Sequence, residues 1–126
     1  MSHFTDVRLW MATAGQTVRD EPSPLIKSAD LALRERLMKE ELGELLEAMY
    51  SDDIVEIADG IGDLLVVTYG TAVTYGVNAD AVFSEVMQSN FSKFEGGQVL
   101  MDGGGKVLKG SAYRPPNISR VLEKGW

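Results

Sequence analysis

The chain has no cysteine and a single histidine, His3. The first absence excludes a disulfide frame, a thiolate zinc site and a cysteine nucleophile. The second nearly excludes imidazole chemistry and His-rich metal sites. Positive charge is also scarce: 12 Lys and Arg stand against 19 Asp and Glu, a net charge of −7. A polymeric nucleic acid would need a basic footprint that this balance does not supply. The balance suits a protein that meets an anionic substrate through bound cations. The most apolar run, Leu64 to Val77, is interrupted by Thr, Tyr and Gly and is too short to span a bilayer, so no membrane partner is expected. The first ten residues, MSHFTDVRLW, lack the charged and apolar regions of a secretory signal, and a cytoplasmic protein is expected.

What is present in quantity is carboxylate. With 44% hydrophobic and 25% charged residues among 126, the composition is that of one globular domain, residues 1–126, with a real core. Helical signals dominate. A short helix over Asp6–Ala14, capped by Thr5, offers Leu9, Trp10 and Met11 to the core. Pro22 and Pro24 then forbid regular helix. Ser28 or Asp30 starts a long helix to about Tyr50, with Leu31, Met38, Leu42, Leu45, Leu46 and Met49 on one side. Ser51-Asp52-Asp53 breaks it and caps a third helix, Ile54 to Tyr75, which Gly76 closes. A fourth follows from Asn78 or Asp80 to about Phe94, with Val82, Phe83, Val86 and Met87 inward. QVLM-DGGG-KVLK then has the look of a small hairpin, and Ile118–Lys124 forms a last short helix. The fold class is all-α, four to five helices with a short C-terminal hairpin-like tail.

The acids of the second and third helices carry the chemistry. On the third, Glu56, Asp59 and Asp63 lie within about 60° of each other around the axis, and the rest of that helix is almost entirely apolar. A narrow acid stripe on such a helix is costly to bury unless a cation sits among its members. On the second, Glu41 and Glu44 lie side by side, and Glu40, Glu44 and Glu47 form a row. Taken alone, that row also reads as a solvated face paired with Lys39, Arg36 and Arg34. Two antiparallel helices joined by a short turn must face each other, so the two acid sets can converge on a hard, oxygen-seeking cation such as Mg2+ or Mn2+. Metal-assisted attack of water on a phosphoanhydride is the chemistry this suggests.

Glu40-Glu41-Leu42-Gly43-Glu44, followed by acids before Asp63-Leu64-Leu65, resembles the all-α NTP pyrophosphohydrolases. That superfamily holds the MazG proteins, the dimeric dUTPases and the phosphoribosyl-ATP pyrophosphohydrolases, whose pattern is E-E-x-x-E, then E-x-x-D, then an Asn/Lys pair. Asn90-Phe91-Ser92-Lys93 looks like that pair, and Gly105 to Pro116 is similar to the tails of small phage and bacterial MazG-like members. The second motif has two registers: literally it is Glu56-Ile57-Ala58-Asp59, but the apolar run after the family's Asp aligns on Asp63, with Gly60 at the Glu position. Both keep Asp59, and the Asp63 register fits better, leaving Glu56 as a further ligand or a neighbour of the ligands.

The resemblance implies a MazG-like bundle that hydrolyses a nucleoside triphosphate to the monophosphate and pyrophosphate. Glu41, Glu44, Asp59 and Asp63 would hold Mg2+ or Mn2+, and Glu40 would orient or deprotonate the attacking water. Lys93, with Asn90 and with Lys106 or Lys109, would neutralise the phosphates. For the base, Trp10, Gln16, Tyr113 and Arg114 are stacking or hydrogen-bonding candidates. The apolar excess of the third helix, continued by Val67, Gly70 and Thr74 on the acid side, predicts a homodimer, which can pair into a tetramer. A non-enzymatic helical interaction module with a structural divalent ion is the alternative. A di-iron bundle would need Glu-x-x-His pairs that the sequence does not contain.

Overall fold

The computed structural model describes residues 2–124. Five α-helices appear in order: α1 His3–Thr13, α2 Ser28–Tyr50, α3 Ile54–Tyr75, α4 Ala79–Phe91 and α5 Ile118–Lys124. The fold is all-α, as the periodicity predicts. The chain divides into two compact units, residues 2–79 and 80–124.

In the first unit, α2 and α3 run antiparallel and make the most extensive helix contact, and α1 packs on α3. The bounds of α3 follow from its ends. The Asp53 carboxylate accepts from the backbone N–H of Val55 (3.1 Å) and Glu56 (3.3 Å), and Gly76 closes the helix at φ 73°. A Cβ at Gly76 would run into the Glu21 carbonyl, so both conformation and space require glycine there. The loop between α1 and α2 is tied to this end of α3, with Arg19 N–H on the Val73 carbonyl (3.2 Å) and Ser23 N–H on that of Tyr75 (3.0 Å). The buried core is Phe4, Met11 and Val73, with Val7, Val18, Tyr69, Ala72 and Ala79 packed around it.

Several sequence expectations are corrected. Ser2, not Thr5, caps α1: its hydroxyl accepts from the Thr5 N–H at 3.1 Å, and the helix begins at His3. Of Leu9, Trp10 and Met11 only Met11 is buried; Leu9 and Trp10 are exposed. Leu31, Leu42, Leu46, Met49 and Phe83, all expected inward, are exposed in the single chain. Apolar periodicity identifies a face that avoids water, but not which surface covers it.

In the second unit, α4 ends at Phe91 and tightens into a 3-10 turn over Ser92–Phe94. The fully buried Ser92 hydroxyl explains the change: it donates to the Ser89 carbonyl (2.6 Å) and accepts from the Arg114 N–H (2.8 Å). Ser89 Oγ donates to the Arg114 carbonyl at 2.7 Å, and the Arg114 guanidinium pairs with Glu95. The expected hairpin is minimal, an antiparallel bridge between Met101 and Val107 with Leu108 N–H on the Leu100 carbonyl at 2.8 Å. Among the described residues, no helix is long and apolar enough to cross a membrane.

Candidate metal centre

The register between α2 and α3 decides which acids meet. A Cβ at Gly60 would lie 3.2 Å from the Leu45 Cα, and one at Gly70 would overlap the Arg34 guanidinium. Glu41 and Asp63 meet in the same register. Absence of a side chain at Gly60 therefore sets the close helix approach, whereas Gly62 faces open space.

Within this frame Glu41, Glu44 and Asp63 each offer a carboxylate oxygen, all within 4.8 Å of one another. Glu44 is exposed, but Glu41 is half-buried, and its Oε2 is enclosed with no hydrogen-bond partner. A buried acceptor left unmade costs about 1–3 kcal/mol, more when charged. Burial pushes the Glu41 carboxyl above the usual glutamate range, and the negative charges of Asp63, Glu44, Glu40 and Asp59 push the same way. Among the described residues, no basic side chain acts on it. Three convergent carboxylates, one with an orphaned buried oxygen, fit a hard divalent cation.

The other predicted acids divide. Asp59 and Glu40 are exposed, outside the trio, yet close enough for their charges to act on Glu41. Glu40 also lies 3.8 Å from Arg36 in a loose surface pair. Glu56 is exposed in the first turn of α3 and belongs neither to the trio nor to the charges acting on Glu41. Of the two sequence registers, the geometry groups Asp63 with Glu41 and Glu44.

Trp10 and Gln16 line one cavity of about 330 Å³, whose floor includes Leu37, Val66 and Val67. In the second unit Asn90, Lys93 and Lys106 line a groove of about 340 Å³ together with Phe91 and Phe94. Lys109 and Tyr113 are engaged with each other, the ammonium 5.0 Å from the ring centre.

One residue escaped the sequence reading as a site component. Arg34, grouped there with surface cations, is buried to 6% exposure beside the Trp10–Gln16 cavity. The available signal was its position seven residues before Glu41 on one helix stripe, mirrored by Gly70 seven after Asp63.

A profile of the phosphoribosyl-ATP pyrophosphohydrolase family matches residues 7–90. The carboxylate trio, Glu40, Asp59, Trp10, Gln16 and Asn90 fall inside that span; Lys93, Lys109 and Tyr113 fall beyond it. Uncharacterised protein L479 of Acanthamoeba polyphaga mimivirus is 46% identical over 48 residues, which is 38% of this chain and 19% of that protein. The chain thus matches about a fifth of that relative's length.

Proposed function

The chain belongs to the phosphoribosyl-ATP pyrophosphohydrolase family, and from that premise we propose that it hydrolyses a nucleoside triphosphate between the α and β phosphates, with Mg2+ or Mn2+ bound. The observation that carries this reading is the orphaned, buried oxygen of Glu41 inside the trio with Glu44 and Asp63. A solvated acid face leaves no carboxylate oxygen enclosed without a donor.

Glu41, Glu44 and Asp63 hold the ion, with Asp59 adjoining them. A hard divalent cation bound there supplies Lewis acidity toward phosphate oxygens and lowers the pKa of water. Glu40, exposed and only loosely paired with Arg36, has lone pairs free to orient the attacking water and take its proton. Asn90 and Lys93, with Lys106, are donors of the kind that binds phosphate oxygens and offsets the charge of leaving pyrophosphate. Water is consumed, one P–O bond of the anhydride breaks, and the products are the nucleoside monophosphate and pyrophosphate.

The working form is a homodimer. Leu42, Leu46, Met49, Ile54, Val55 and Leu65 of α2 and α3 are between 44% and 73% exposed in the single chain. That much apolar helix surface is characteristic of an obligate interface. Light scattering on the purified chain is expected to give twice the 13.8 kDa monomer mass or a multiple of it; a monomer at micromolar concentration rejects the dimer.

The function is tested by incubating the protein with a panel of NTPs and dNTPs, with Mn2+, Mg2+ or EDTA, and resolving the products. Monophosphate and pyrophosphate in equal amounts, absent with EDTA, are expected. Orthophosphate as the first product contradicts α–β cleavage. An intact panel favours the structural-ion module.

A further inference from the structure

The acid trio sits near the middle of the α2–α3 pair, and two turns nearer the start of α2 lies a second charged group with few partners inside the chain. Arg34 is 6% exposed, and among the described residues its guanidinium makes one hydrogen bond, Nη2 to Gln16 Oε1, long at 3.4 Å. Asp30 acts on it at longer range without forming an ion pair. The Asp30 Oδ1 atom accepts from the Thr17 hydroxyl at 3.1 Å, and its buried Oδ2 has no hydrogen-bond partner, so Asp30 balances part of the Arg34 charge without touching it. A guanidinium carries five N–H donors, so most of this group's hydrogen-bonding capacity is not taken up by the protein and is left to the cavity that it lines. The sequence nevertheless makes room for it: a Cβ at residue 70 would overlap its Nη1 atom, and glycine stands there. A cation kept buried and under-partnered, beside a cavity of about 330 Å³, has the properties of a ligand-reading group.

The remaining lining tells what it reads. Trp10, 61% exposed, borders the same cavity and offers a flat ring face of the kind on which bases stack. Leu33, Leu37, Val66 and Val67 supply apolar walls. With the Gln16 oxygen turned to Arg34, its amide NH2 remains, so the three polar side chains of the lining, Gln16, Arg34 and the more exposed Arg36, all present donors. Arg34 and Glu41 are seven residues apart on one stripe of α2, about 10 Å of helix rise, a separation that a nucleotide can bridge between base edge and phosphates.

We propose that Arg34 and Gln16 form a base-reading pair that selects guanine over adenine, through the two neighbouring acceptors of guanine's O6/N7 edge. Adenine places an amino donor beside N7, which two donors repel. The inference rests on the triphosphate-hydrolysis reading above and names the substrate class of that same site. Arg34 and Gln16 set specificity and take no part in bond breaking.

The test compares dGTP, dATP and 7-deaza-dGTP, which lacks only the N7 acceptor, with Mn2+. The wild type is expected to favour dGTP over dATP by at least about tenfold in kcat/KM, chiefly through KM, with 7-deaza-dGTP falling toward dATP. Arg34→Met, which replaces an under-partnered buried cation with an apolar chain of similar length and so should fold, is expected to collapse the ratio. Gln16→Met, nearer the surface, should reduce it in part. Equal use of dGTP and dATP by the wild type, or an unchanged ratio in Arg34→Met, overturns the proposal while leaving hydrolysis standing. If no triphosphate is cleaved, the hydrolysis reading fails by itself. Binding of dGMP against dAMP, followed by fluorescence with Trp10→Phe as the control, then decides: dGMP preference that Arg34→Met removes supports base reading, and equal or no binding rejects it.

Discussion

The middle of the α2–α3 pair and the stretch two turns nearer the start of α2 carry charges of opposite sign, and each leaves its charge incompletely paired. Around Glu41 the helices gather negative charge, and one oxygen is enclosed without a donor. Around Arg34, two turns away on the same stripe, they bury positive charge and give it one long hydrogen bond. Asp30, in the first turn of α2, also has an enclosed oxygen without a partner, but the exposed charges between Arg34 and Glu41 are paired. Glu35 receives the Lys39 ammonium at 2.8 Å and Arg36 approaches Glu40 at 3.8 Å, both as exposed i,i+4 pairs. The helix solves its charge pairing on the solvent side and leaves it unsolved on the side facing α3. Incomplete pairing of opposite sign at the two positions is what a metal–nucleotide complex would complete, with the cation at one and acceptor atoms at the other.

The strongest way to break this comparison is to neutralise the acid trio. Glu41→Gln and Asp63→Asn are each expected to lower kcat by roughly 10²–10³-fold, the scale of losing a preorganised charge in a site. Glu56→Gln should stay within a few-fold of wild type, because Glu56 lies outside the trio. Stability should move in the opposite direction. In EDTA, Glu41→Gln should melt above the wild type, since it removes a buried charge repelled by Asp63, Glu44, Glu40 and Asp59. Mn2+ should reverse the order, raising wild-type stability by about 2.7 kcal/mol at one hundred times its dissociation constant and the variant much less. Equal melting of the two proteins in both conditions would mean that the trio is an ordinary acid surface.

How much of this was readable in advance follows from where each determinant lies. The ends of α3 were legible because Asp53 and Gly76 act on their own neighbours in the chain. The choice between Glu56 and Asp63 could not be closed from spacing, since both sit on one stripe of one helix. Only the register against α2, fixed by the Gly60–Leu45 approach, separates them. Arg34 reads as solvent-facing from α2 alone; its burial depends on a glycine thirty-six residues later. Leu42, Leu46 and Met49 read as core because a stripe of helical period records apolar character and not the identity of the covering surface.

The smallest expected effect on stability comes from Gly70→Ala, and it is the one that isolates the arginine. In a helix interior alanine is favoured over glycine by about 1 kcal/mol, and Gly70 has helical backbone. Against that gain, the new Cβ would overlap Arg34 Nη1 and sit 3.3 Å from Met11 Sδ. Both are ends of flexible side chains, so the cost is met by moving them and not by shifting backbone. The two contributions oppose each other and the melting temperature should change little. The guanidinium, however, cannot stay where it is. If its position reads the base, Gly70→Ala should lose the dGTP preference while keeping its fold and its metal-dependent stabilisation. Circular dichroism melts with and without Mn2+, set beside the dGTP-to-dATP ratio, measure both. A variant that keeps the preference would show that Arg34 is buried for packing alone, and the arginine and the acid trio would then not belong to one site.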